Sequence, residues 1–80
     1  MHEWLSEARE KLARATAEDG SAYELSERDI DDLLELARVA ARESGERTNA
    51  PLVCYLVGLA RGRHGHEVAD LVDAVVGKAI

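Results

Sequence analysis

An 80-residue chain with sixteen acidic and ten basic side chains, net charge −6, has room for one domain, residues 1–80, and little attraction for nucleic acid or an anionic membrane face. Its single cysteine, Cys54, excludes an internal disulfide. The start Met1-His2-Glu3-Trp4 runs straight into charged amphipathic sequence rather than an export leader, which points to the cytoplasm. The longest uncharged apolar stretch, residues 50–60, falls well short of the roughly 20 residues that span a bilayer.

Helical periodicity opens the chain, over residues 2–17. Trp4, Leu5, Ala8, Leu12 and Ala15 recur at helical spacing on one face, and Glu3, Glu7, Glu10 and Lys11 lie mainly on the other. Asp19-Gly20-Ser21 breaks the pattern, so residues 18–25 read as a loop, with Tyr23 and Leu25 apolar enough to pack down. Ser26 followed by Glu27, Arg28 and Asp29 reads as a helix cap. Asp29 stands in for the longer acid of a capping box, and acids in the first turn suit the helix dipole.

The second predicted helix covers residues 27–43. Ile30, Leu33, Leu34, Ala37, Ala40 and Ala41 make its stripe, and Leu36 and Val39 widen it enough to touch two neighbours. Ser44-Gly45 ends it. The third covers residues 51–62, with Pro51 in the first turn and Thr48 or Asn49 as cap. Leu52, Tyr55, Leu56, Leu59 and Ala60 form one stripe, while Val53, Cys54 and Val57 fill the other sides. A helix apolar nearly all round is expected at the centre of a fold. Gly58 inside it predicts a close helix crossing, and burial of Leu56 predicts that Leu56→Ala destabilises by about 2–5 kcal/mol. The fourth helix covers residues 66–78, where Val68, Leu71, Val72, Val75, Val76 and Ala79 repeat at helical spacing.

The fold class that follows is all-α: a compact four-helix domain with helix three central. Short connections set helices two, three and four as an up-down-up core, with helix one packed across it.

Four groups of residues bear on chemistry. His64 and His66 flank Gly65, but a flexible turn lacks the fixed geometry of a metal site, so a solvated turn and no metal is expected. Cys54 lies in the most apolar helix, without a histidine near in sequence, and reads as a buried, inert thiol. Asp29, Asp31, Asp32 and Glu35 lack the spacing of a calcium loop and read as a solvated face, with Arg61 and Arg63 expected nearby. They belong to an acidic segment, residues 18–46, where ten acids meet three arginines for a net charge of −7. The most suggestive group is Arg42, Arg47, Thr48 and Asn49, at the start of helix three. There, free backbone N–H groups together with Arg38, Arg42 and Arg47 could receive an anion or nucleotide. No phosphate loop, catalytic triad or zinc-finger spacing occurs, so neither a catalytic residue nor a cofactor is expected. A DNA-binding regulator is disfavoured by the acidity and the lack of a basic recognition helix.

Glu3-Trp4-Leu5, the run Asp32-Leu33-Leu34-Glu35-Leu36-Ala37-Arg38-Val39-Ala40, and Ala50-Pro51-Leu52 closing into Tyr55-Leu56-Val57-Gly58-Leu59-Ala60 form a pattern that covers nearly the whole chain. It resembles a small bacterial family of helical domains of unassigned activity. Members occur alone or as a C-terminal extension of the molybdenum cofactor guanylyltransferase, the enzyme that makes molybdopterin guanine dinucleotide. The stretch from Ala50 to Ala60 is the most specific part. The chain departs from the pattern in a longer first loop and in a turn at residues 61–66 richer in histidine and arginine. The resemblance implies a non-catalytic accessory or protein-interaction role. The implied protein partner is the guanylyltransferase or a molybdoenzyme such as formate dehydrogenase. A homodimer, paired through Trp4, Tyr23 or Val76, is a further expectation from the residues.

Overall fold

The computed structural model describes residues 2–77. Four helices are present, α1 (His2–Thr16), α2 (Glu27–Ser44), α3 (Asn49–His64) and α4 (Val68–Val76), with a short 3-10 turn, Gly20–Tyr23, between the first two. The all-α reading stands. Among the described residues, no helix is long and apolar enough to cross a membrane.

The capping box at α2 forms as its sequence requires. The Asp29 N–H donates to Ser26 Oγ at 3.0 Å, and the Ser26 N–H donates to Asp29 Oδ2 at 3.2 Å. One hydroxyl and one carboxylate thus satisfy two backbone donors that the first turn leaves without partners. Leu36, at the middle of α2, is wholly withdrawn from water. Val57 of α3 and Val68 and Val72 of α4 join it in the core, and Leu33, Val53, Cys54, Leu71 and Val76 pack against them. Each buried aliphatic side chain of this kind contributes roughly 1.5–3 kcal/mol. α2, α3 and α4 thus pack mutually, and α3 touches both of the others.

Both ends of α3 and of α4 differ from the sequence reading. α3 runs through Gly62 to His64, and the chain turns at Gly65, where φ is +73° and the N–H closes on the Arg61 carbonyl at 2.7 Å. α4 begins only at Val68 and stops at Val76, because Gly77 takes φ +80° and donates to the Asp73 carbonyl at 2.9 Å. The left-handed backbone is open to glycine without a Cβ clash, so the available glycine sets the stop. The predicted continuation of α4 to Lys78, and Ala79 in its stripe, lie outside the described residues.

α1 departs further. It was expected to lie across the three-helix core, yet among the described residues its backbone approaches only the 3-10 turn. The cause is local. Ala17 takes φ +57°, and the Glu18 N–H reaches back to the Ala13 carbonyl at 2.9 Å while the Ala17 N–H reaches Arg14 at 3.4 Å, a Schellman closure. The Asp19 carboxylate then caps the 3-10 turn through the Ser21 N–H at 3.0 Å, and the Thr16 and Tyr23 hydroxyls meet at 2.7 Å. These bonds fold the loop back on α1, and Ala13 is buried while Trp4 and Leu12 are exposed.

A second departure concerns α3. Leu52, Tyr55, Leu56 and Leu59 face water, with Leu56 at 59% exposure. Leu56→Ala therefore removes no core side chain from the single chain, and the expected large loss moves elsewhere. Among the described residues no neighbouring atom lies within 4 Å of the position a Cβ on Gly58 would take, so the predicted close crossing is absent there.

In urea melts, Leu36→Ala is expected to lower the unfolding free energy by about 2–5 kcal/mol. Val75→Ala, at a half-exposed position, should stay within about 0.5 kcal/mol of the parent. Ala17→Gly is expected to raise stability by up to about 1 kcal/mol, because glycine carries no Cβ into the left-handed conformation. A thermal melt that falls on this change would exclude strain at Ala17.

Candidate functional site

The predicted site sits where α2 hands over to α3. Arg42, Arg47 and Thr48 are exposed and Asn49 is half-buried. Thr48 occupies the cap position with helical backbone and makes no side-chain capping bond. The helix starts two residues before the predicted Pro51, and that changes what the end offers. The Asn49 N–H donates to the Glu46 carbonyl and the Ala50 N–H to the Arg47 carbonyl, each at 3.1 Å, and Pro51 has no N–H. An anion arriving here would meet side chains rather than a set of free backbone donors. Arg38 is engaged elsewhere: its Nη2 lies 3.3 Å from Glu35 Oε1.

The other candidates separate in space and chemistry. The His64 and His66 rings stand 6.1 Å apart, tilted by 31°. Arg61 closes the turn beneath them by donating from Nη1 to the His66 carbonyl at 2.8 Å. The acids of α2 line one side of an open groove, with Asp31, Asp32 and Glu35 facing Val72 and Asp73 of α4. Arg28 Nε stands 3.8 Å from Asp32 Oδ2. Among the described residues, no three or more His, Cys, Asp or Glu side chains gather as a metal ion requires.

Cys54 is half-buried, and its thiol points at the Leu33 carbonyl, with Sγ 3.9 Å from the oxygen. Burial pushes its pKa up, because the thiolate would lose hydration that the apolar neighbours cannot replace. The neutral thiol is a poor nucleophile, which agrees with the inert reading.

The feature missed by sequence reasoning is the outer side of α3. At 3.6 residues per turn, Leu52, Tyr55, Leu56 and Leu59 share one sector, and Arg63 falls in it one turn further on. Val53 and Val57 occupy the inward sector against α2 and α4. The signal was present in the count of helices. Two neighbours cover one side of a helix, and a chain of this length has little left to cover the other. α1 carries a similar exposed shelf, lined by Trp4, Glu7, Ala8, Lys11 and Leu12. Its other side looks across an open groove of about 260 Å³ toward Tyr23, Leu25 and Ile30. Of the residues expected to pair two copies, Trp4 is exposed, while Tyr23 and Val76 are half-buried.

At mildly alkaline pH, Cys54 is expected to react with iodoacetamide more slowly than free cysteine, and the rate should rise to the free value in urea. Equal rates with and without urea would show an accessible, unshifted thiol.

The model of a family described as a domain of unknown function (DUF6457) matches residues 1–79, and the chain belongs to that family. No curated protein and no solved structure matches the chain.

Proposed function

We propose that this chain, a member of that family of unknown function, is a non-catalytic protein-interaction module that serves molybdenum cofactor maturation or molybdoenzymes such as formate dehydrogenase. One observation carries the interaction reading. The segment most specific to the resemblance, residues 50–60, leaves Leu52, Tyr55, Leu56 and Leu59 in water. A contiguous exposed patch of large apolar side chains marks an interaction site. The cofactor setting rests on the resemblance to domains that extend the guanylyltransferase, where the nucleotide chemistry would reside.

The alternative is anion or nucleotide docking at the start of α3. It has the exposed Arg42, Arg47 and Thr48 and the half-buried Asn49 in its favour. The donated Asn49 and Ala50 N–H groups and the missing one at Pro51 weigh against it.

The test is affinity capture of the tagged full chain from extract of its own cell. Recovery of a cofactor-maturation protein or a molybdoenzyme is expected. Recovery of neither, together with a rise in melting temperature on adding guanine nucleotides, would move the function to the start of α3.

A further inference from the structure

We propose that the exposed face of α3 is covered by α1 of a second copy, and that the chain is a reciprocal dimer. The inference rests on reading the outer face of α3 as an interaction surface, and it names the occupant.

Among the described residues, two helices present apolar side chains that no other helix covers. On α1 they are Trp4 and Leu12, and on α3 they are Leu52, Tyr55, Leu56 and Leu59. The faces match in length. Trp4 to Leu12 spans about 12 Å of helix and Leu52 to Leu59 about 10.5 Å, at 1.5 Å per residue. They also match in charge. α3 holds no acid, and Arg61 and Arg63 stand at its C-terminal end. On α1 the acids Glu3 and Glu7 come before the first arginine, Arg9, while Lys11 shares the shelf of Trp4 and Leu12. Antiparallel docking lays Leu12 beside Leu52 and Tyr55 and brings Glu3 and Glu7 to Arg63. The Cβ positions of Gly58 and Gly62 meet nothing within 4 Å, which leaves room on that flank for the Trp4 ring.

Symmetry completes the arrangement. Each copy gives one α1 and receives one, so the contact occurs twice around a two-fold axis and closes without leaving an open face. The six side chains are 41–71% exposed in the single chain. They offer on the order of 700 Å² per copy, near the ~800 Å² per partner of a stable interface. The second copy then occupies the face that the interaction reading uses, so a cofactor-maturation protein competes with the dimer for it.

Trp4 is the chain's one tryptophan, so its emission reports on the proposed contact. Sedimentation of the full chain at sub-millimolar concentration is expected to give twice the 8.7 kDa monomer mass, and dilution should shift Trp4 emission to the red. Leu56→Glu and Arg63→Glu should each give monomers with unchanged helical circular dichroism, since both positions face water in the single chain. Adding Glu3→Arg and Glu7→Arg to Arg63→Glu should restore the dimer. A parent chain that stays monomeric at these concentrations overturns the proposal. So does a dimer indifferent to Leu56→Glu. Blue emission unchanged by dilution in a monomer would also overturn it, showing α1 folded onto its own α3. A monomer that still captures a molybdoenzyme sinks the dimer and leaves the interaction reading intact. A dimer that captures nothing does the reverse.

Discussion

Leu36 is the side chain on which this domain is assembled. Among the described residues it is the one large side chain wholly removed from water, and it lies where α2, α3 and α4 converge. Burying it requires all three helices at once. Val57 must come from α3, and Val68 and Val72 must come from α4. α4, at 9 residues, is too short to be stable alone in water, and α2 and α3 draw most of their stability from packing an apolar face, so helix formation and packing are one event.

That convergence has a geometric consequence. A helix can present only one side to a shared core. α3 is apolar on nearly every side, so turning Val53 and Val57 inward turns Leu52, Tyr55, Leu56 and Leu59 outward. A fourth helix could have covered them, but α1 is held elsewhere. The closure at Ala17, the Asp19 cap and the Thr16–Tyr23 hydroxyl contact tie α1 to the 3-10 turn. The apolar surface that would complete a larger core is thus split between two faces of one small chain. The exposed face of α3 joins the core geometry to the proposed role in binding.

The same geometry bears on the polar candidates. Arg38 lies against Glu35, Arg61 closes the turn before α4, and the N–H groups of Asn49 and Ala50 are donated within the chain. Charged and polar groups at these helix ends mainly stabilise the ends themselves. Cys54 follows the same logic, since its burial beside Leu33 favours a neutral thiol over a reactive one.

The sequence by itself determined the elements with strong local chemistry. The Ser26–Asp29 box starts α2, Gly45 stops it, and the Val68–Leu71–Val72 spacing marks the inward side of α4. Each depends on residues within a turn or two of one another. Arg42, Arg47, Thr48 and Asn49 sit at the handover between helices, and the hydrogen bonds that occupy its backbone are not legible in the sequence. Tertiary structure alone decided which side of α3 is buried, where α1 lies, and that Gly58 faces open space rather than a neighbour. Periodicity states that a residue is apolar and where it points on its own helix. It does not state which neighbours will be present to cover it, because that depends on how many helices the whole chain can bring to one place.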